Sequence, residues 1–428
     1  MQLTMLDLAA AFITLTTFLT YLNYRFLKMP PAIGVMVTAL LLSLILQIVS
    51  AMGYPVLELH MQTLIAGIDF TQVLMTWFLP ALLFAGALHV NLNDLRSYKW
   101  GIGLLATVGV LISTGAVGFL TYYMLQFLGW NVSLLYCLLF GALISPTDPI
   151  AVMSILKTSG APKPLRYTIT GESLFNDGTA IVVFSILLGV LMLGHTPTVG
   201  DISVLFLKEA VGGVVYGLVL GAAGFMLLRT IDQHQVSVLL TLAMVFGGAA
   251  MAAKLHVSSP IAMVVAGLII GNHGRNLAMS DNSRRYVDGL WELVDDVLNT
   301  LLFALIGLEL LLLPFTWVHI AAGLVLSVVV LLSRVVTVAP AIVLLRMRRD
   351  ADRQVAKGTI RTLSWGGLRG GVSVALALSL PLGEQRDLIL TLTYIVVLSS
   401  ILVQGLTIGR LVKSLYGEKK PKAIPEKI

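Results

Sequence analysis

The chain is 428 residues long, 57% hydrophobic and only 12% charged, with a mean hydropathy of +0.92. Soluble domains carry roughly 25% charged residues and divide beyond ~250–300 residues, so this composition excludes an ordinary water-soluble enzyme and makes the bilayer the expected solvent. A single cysteine, Cys137, excludes a disulfide scaffold, and the net charge of +6 reads as basic cytoplasmic loops, not as a nucleic-acid surface.

A membrane-crossing helix needs ~20 apolar residues. About thirteen stretches are candidates, at approximately 3–24, 30–51, 70–89, 101–128, 131–156, 167–193, 202–228, 236–253, 259–271, 286–313, 316–345, 358–380 and 388–409, the ninth being short. The first has no basic flank before Leu3, unlike a cleavable signal, and reads as a retained span. The loops support the count. Of the 28 Lys and Arg, about 23 follow odd-numbered spans, only Lys254 and Arg386 follow even ones, and Lys208, Arg334 and Arg369 lie within spans. The positive-inside rule then puts the amino terminus outside and the carboxyl terminus in the cytoplasm. No soluble insertion is visible, so residues 1–428 read as one all-α polytopic membrane domain with a short tail.

An odd count permits an inverted repeat in which spans n and n+7 cross in opposite directions. Span 5 is interrupted by Ser145-Pro146-Thr147-Asp148-Pro149, and span 12 by Gly366-Gly367-Leu368-Arg369-Gly370-Gly371. These are corresponding members under that shift. Paired breaks point to a binding site near the membrane midplane, formed where two unwound helices cross.

Acids at the bilayer centre cost ~2.5–3.5 kcal/mol each on insertion scales and are usually functional. Asp148, Glu172 and Asp177 fall near mid-span, with Arg334 and Arg369 also deep. Structural ion pairs alone leave one of three acids unmatched, whereas a site for a cation or proton needs one. Asp148 lies between two helix-breaking prolines, beside the Thr147 hydroxyl. Glu172 with Asn176, and Ser173 with Asp177, share helix faces at i, i+4, as either a polar seam between helices or ion ligands. All these groups offer oxygen, which suits Na⁺, Li⁺ or K⁺ better than soft metals. Burial favours the neutral form of a carboxyl group, so one carboxylate can exchange a proton for a cation. Arg369 is placed to hold one acid ionised, with Glu172 the first choice of partner and Arg334 the alternative cation. Glu292, Asp295 and Asp296, at i, i+3, i+4 near the cytoplasmic start of span 10, read either as headgroup acids or as an acidic funnel. Glu309 falls near the outer end of the same span. No histidine pair has zinc-helix spacing, so no cofactor is expected beyond the transported ions.

At Ser145–Pro149, Gly171–Gly178 and Gly366–Gly371, at Trp291-Glu292-Leu293 with Asn299–Phe303, and at Ile306–Glu309, the sequence resembles the NhaP-type sodium/proton antiporters, relatives of the animal sodium/hydrogen exchangers. The likeness runs from Leu79 to about Leu380. It implies a homodimer in the lipid of a plasma membrane, in keeping with a prokaryotic inner membrane. It implies dimerisation-type helices in 1–95 and 236–313, core helices in 100–193 and 316–410, a linking helix in 202–230 and a tail at 411–428. Asp177 would be the principal carrier, with Asp148, Thr147 and Ser173 completing a Na⁺ site and Glu172 nearby. Asn176 stands where electrogenic relatives carry a second Asp, which implies electroneutral exchange of one cation for one proton. Arg369 matches the arginine that pairs with the Glu172 position, and Arg334 another arginine of the pattern. One departure is Ala85, where many relatives place Glu after the Phe. Potassium/proton exchange is the alternative reading within the class. An intramembrane aspartyl protease is the alternative outside it, although the chain lacks a Gly-x-Gly-Asp motif.

Overall fold

A computed structural model of the chain describes residues 5–54, 56, 59, 61–62, 70–96, 98–149, 152–153, 155–156, 159, 161–193, 198–311, 316–346 and 358–416. Every element assigned among them is helical. In chain order the main helices are α1 (Leu6–Leu27), α2 (Pro31–Ala51), α3 (Leu74–Leu88), α4 (Lys99–Phe127), α5 (Leu134–Ile144), α6 (Lys163–Met192), α7 (Val199–Arg229), α8 (His234–Leu255) and α9 (Ser259–Gly274). They continue with α10 (Asp281–Leu308), α11 (Trp317–Leu344), α12 (Thr359–Trp365), α13 (Gly371–Leu378) and α14 (Glu384–Tyr416). A helix or an interrupted helix thus lies in each of the thirteen stretches. Eight, namely α1, α2, α4, α6, α7, α8, α11 and α14, are long and apolar enough to cross a bilayer. α10 is long but strongly charged in its first half.

The ends follow local chemistry. The Ser133 and Ser280 side chains accept from the third backbone N–H of α5 and α10, satisfying donors that a helix start leaves open. Thr198 and Asp201 form a reciprocal capping box at α7. α6 begins at Lys163, before the expected 167, because Pro164 fits the first turn of a helix, where its missing N–H is no loss. α14 continues past the expected 409 to Tyr416. Its last turns are amphipathic, and Thr362 of α12 bonds the Tyr416 hydroxyl at 3.4 Å, so a hydropathy window stops too early. Residues 411–416, expected in the tail, therefore belong to α14. Residues 417–428 and the basic stretch 347–357 lie outside the described residues.

The helices enclose two apolar cores. The smaller gathers α3, α7, α8, α9 and α10 around Phe84, Met263 and Trp291. There the rings of Phe84 and Trp291 lie 4.8 Å apart, and Trp291 Nε1 donates to Thr241 Oγ1 at 3.0 Å. The larger core joins α2, α4, α5, α6, α11, α13 and α14 around Phe140 and Tyr394, and α10 reaches it through Phe303. α10 therefore belongs to both cores, presenting Trp291 to one and Phe303 to the other. Lipid tails are as apolar as the helices, so association depends on close backbone approach at small residues. A side chain begun at Gly271 of α9 would lie 2.2 Å from the Leu88 carbonyl of α3. An added carbon at Gly307 of α10 would lie 2.7 Å from the Met36 carbonyl of α2, and the Gly307 carbonyl accepts from Ser43 Oγ at 2.9 Å.

Gly271→Ala is expected to destabilise the fold by about 1–3 kcal/mol through overpacking. Gly103→Ala, where nothing lies within 4 Å of an added carbon, is expected to be neutral or mildly stabilising. Thermal unfolding of the two detergent-solubilised variants, followed by size-exclusion fluorescence, checks the contrast.

Candidate ion-binding site

Both sequence interruptions are real breaks, and they meet. α5 stops at Ile144, residues 145–149 are unwound, and helical bonding resumes with Met153 N to Pro149 O at 2.6 Å. Pro146 and Pro149 lack the N–H groups a continuous helix would use. Between α12 and α13, residues 366–370 are likewise unwound. The Asp148 N–H donates to the Leu368 carbonyl at 2.8 Å, so the two unwound segments lie hydrogen-bonded across each other.

Each break leaves helix ends whose carbonyls and N–H groups carry partial charge inside the membrane. Arg369 Nη1 donates to the carbonyls of Ser145 at 2.6 Å and Pro146 at 2.8 Å, which sets a cation at the negative end of α5. Its own N–H donates to Ser400 Oγ of α14 at 3.1 Å, and that hydroxyl donates to Gln404 Oε1 at 2.9 Å. Asp148 lies at the other pole. An added carbon on Gly370, the residue before α13, would sit 2.1 Å from Asp148 Oδ2. The carboxylate thus faces the positive start of α13, and only glycine leaves it room.

α6 passes beside the crossing without a break. Asn176 Nδ2 donates to Thr147 Oγ1 at 2.9 Å, and the Ser173 and Thr147 hydroxyls are 3.0 Å apart. Glu172 is 1% exposed and forms an ion pair with Arg334 of α11, whose Nε donates to the Leu363 carbonyl at 3.4 Å. This corrects the pairing expected from the sequence: Arg334 holds Glu172, while Arg369 binds backbone carbonyls. Spacing along the chain could not choose between two arginines on different helices.

A cavity of about 170 Å³ opens at the crossing. Thr147, Asp148 and Asp177 line it, with Asp295 and Asn299 of α10 and Ser373 of α13; Leu79 and Leu83 of α3 and Leu302 of α10 add apolar wall. Of the four residues expected to hold the cation, Asp148, Asp177 and Thr147 face the cavity, whereas Ser173 lies behind Thr147 and fixes its hydroxyl. Glu172 and Asn176 are buried in the supporting layer. The acids of span 10 divide: Asp295 reaches the cavity, while Glu292 and Asp296 are exposed. Asn299 and Ser373 carried no assigned role in the sequence reading. The i, i+4 relation of Asn299 to Asp295, to which it donates at 3.0 Å, was the available signal for the first; Ser373 had none. Ala85 is fully buried in the smaller core, while its neighbour Gly86 lines the cavity. Glu309 is buried in the turn Glu309–Leu311 that follows α10.

Among the described residues no three acidic, His or Cys side chains converge closely enough to cage a metal ion. Two broken helices crossing beside carboxylates, in an all-helical membrane domain, are the build of a secondary carrier. The family model described as "Sodium/hydrogen exchanger, transmembrane" matches residues 13–414, and the chain belongs to that family. The Na(+)/H(+) antiporter NhaP of Pseudomonas aeruginosa is 69% identical over 412 residues, covering 96% of this chain and 97% of that protein. The Na(+)/H(+) antiporter NhaH of Halobacillus dabanensis is 34% identical over 398 residues, covering 91% and 93%. The fold is similar to that of the sodium proton antiporter MjNhaP1 from Methanocaldococcus jannaschii at pH 8, with a TM-score of 0.75 at 19% identity over 96% of this chain and 98% of that one.

Removing one partner of the buried pair is expected to cost about 3–5 kcal/mol, because it strands a charge. Arg334→Met should therefore lower thermal stability sharply, and Glu172→Leu combined with Arg334→Met should regain most of the loss. Unfolding temperatures of the two singles and the double, taken as a cycle, measure this.

Proposed function

We propose that the chain is a secondary antiporter that expels Na⁺, or Li⁺, in exchange for H⁺ across a prokaryotic plasma membrane, by alternating access at this cavity. The observation that carries the reading is the pair Asp148 and Asp177 on one small cavity at the crossing, while the third mid-span acid is already matched to Arg334. The names of the relatives support the same ions.

A bare cation needs oxygen ligands and charge compensation. Asp148 and Asp177 supply charge, and the Thr147 hydroxyl, positioned by Asn176 and Ser173, supplies a neutral oxygen. Two carboxylates without a full cage suit a site that must release its ion as readily as it takes it up. When the cation leaves, two close carboxylates in a poorly hydrated cavity repel, and a proton relieves that repulsion. Na⁺ and H⁺ therefore compete for the same oxygens, and exclusion of one by the other couples their movements. With Asn176 neutral and Glu172 held by Arg334, one cation for one proton balances charge in each half-cycle.

The remaining features belong to this proposal. The protein acts as a homodimer, with helices in 1–95 and 236–313 as the fixed scaffold, 202–230 as the linking helix and helices in 100–193 and 316–410 as the moving core. The amino terminus is outside and the carboxyl terminus cytoplasmic, as the Lys and Arg distribution supports. Asp295 draws cations into the cavity without being the carrier. No enzymatic activity and no resident cofactor are part of the reading.

Proteoliposomes loaded with a pH-sensitive dye test it. With an imposed pH gradient, added Na⁺ or Li⁺ should dissipate the gradient, and Asp177→Asn should abolish the response while the protein remains folded. Exchange persisting at full rate in that variant would overturn the assignment. A response to K⁺ alone would move the reading to potassium/proton exchange. Clamping the membrane potential with K⁺ and valinomycin should leave the Na⁺-driven rate unchanged, as electroneutral exchange requires.

Competition also sets the pH dependence. Acidification fills the carboxylates with protons, so the KM for Na⁺ should rise as pH falls, by about tenfold per unit once protonation dominates, at a constant maximal rate. Asp295→Asn should raise the KM for Na⁺ several-fold with little change in maximal rate. Initial-rate series at several pH values separate these two effects.

A further inference from the structure

The crossing has a second cavity, of about 360 Å³, that shares no lining residue with the first. It lies between α11, α12 and α14, and nothing in the exchange mechanism uses it. Its floor is cationic and polar, formed by Arg334, Arg369, Ser364 and Gln404. Arg369 is only 2% exposed. Its Nη1 serves the α5 carbonyls, but its Nε has no acceptor, and the buried Ser364 Oγ has no partner either. Buried donors of this kind are normally satisfied. The carboxylate nearest in role, Glu172, is taken by Arg334.

The mouth has the opposite chemistry. Leu324, Val328 and Val403 are about half exposed, at 50%, 56% and 55%, on helices that face acyl chains. A further cavity of about 570 Å³ continues this second one, sharing Leu331, Ser364 and Trp365 with it and running between Leu332, Val335 and Leu411 to Arg361. From Leu324 to Val335 α11 advances about 16 Å at ~1.5 Å per residue, roughly half the ~30 Å hydrocarbon core and suited to one extended acyl chain.

We infer that this two-part groove binds a single-chain anionic amphiphile from the bilayer, a long-chain carboxylate, with its head on Arg369 Nε and Ser364 Oγ and its chain along α11. A small anion satisfies the floor but leaves the apolar walls against water. A neutral chain fills the walls but leaves the floor donors open. A phospholipid brings two acyl chains, whereas the groove runs as one channel along α11. The carboxylate alone matches both chemistries. Because Arg369 also holds the carbonyls of Ser145 and Pro146, such a head would share the guanidinium that pins the ion-site crossing. The inference stands on this groove and does not depend on which ion is exchanged.

Trp365 lines both parts of the groove, its ring held by donation from Nε1 to Thr407 Oγ1 at 2.8 Å, and so reports occupancy. The full chain in nanodiscs is titrated with palmitate carrying bromine atoms on its chain, which quench tryptophan fluorescence on contact. Saturable quenching is expected, with a component that disappears in Trp365→Phe. The methyl ester of the same brominated chain should bind at least tenfold more weakly, and Leu331→Phe, which fills the joint between the two parts, should weaken palmitate by a similar factor. Equal quenching by ester and acid would overturn the proposal in favour of simple partitioning. Quenching unchanged in Trp365→Phe would overturn the location, and reversal by chloride would reassign the floor to a small anion. The ester comparison uses the unaltered chain and decides the matter however the variants fold.

Discussion

The contact on which the rest of the molecule depends is the crossing of two unwound segments, closed by the Asp148 N–H on the Leu368 carbonyl. In a bilayer no water satisfies a broken backbone, so irregular chain survives only where protein or a cavity surrounds it. The two breaks solve that problem for each other. Arg369 covers the negative end of α5, and Asp148 faces the positive start of α13. The same charges that make the breaks tolerable leave oxygens open to an ion.

Around that crossing the polar groups form two layers with different tasks. Asp148, Asp177 and Thr147 face the cavity, while Ser173, Asn176 and the Glu172–Arg334 pair stand behind them. The rear layer is engaged in hydrogen bonds and an ion pair, which holds the front layer in place. α10 links this arrangement to the rest of the chain. It brings Asp295 and Asn299 to the cavity, packs Trp291 into the smaller core and reaches the larger one with Phe303. A helix shared by both cores is where movement of one against the other would be felt at the site. The close glycine contacts at Gly271 and Gly307 pack α3 against α9 and α2 against α10 with little room to slide.

Much of this was legible in the sequence for a physical reason. A helical membrane protein needs long apolar stretches, basic loops on one side and backbone bonds satisfied within each helix, and each demand leaves a linear trace. Proline and glycine clusters mark breaks because they act through local backbone geometry. Acids within apolar spans stand out because their cost is high. Thus Asp148, Asp177 and Thr147, which line the cavity, stand out by position alone. The ends of α6 and α14 were less legible, because a proline-started turn and an amphipathic last turn do not register as hydropathy.

What the linear order could not carry was partnership across helices. Glu172 lies 162 positions from Arg334 and 197 from Arg369, and only packing decides that the first is its partner and that the second turns to the α5 carbonyls. Asp295, Glu292 and Asp296 look alike as a helical trio, yet the rotation of α10 sends one into the cavity and leaves two outside. Ser173 and Thr147 both offer oxygen, and depth alone puts one behind the cavity wall and the other on it. The sequence by itself determined that this is a helical membrane protein with two midplane breaks and costly acids beside them, since those properties are local. The tertiary structure decided which charges meet, because Coulomb energy and hydrogen bonding depend on distances of a few ångströms between segments that the chain order keeps far apart.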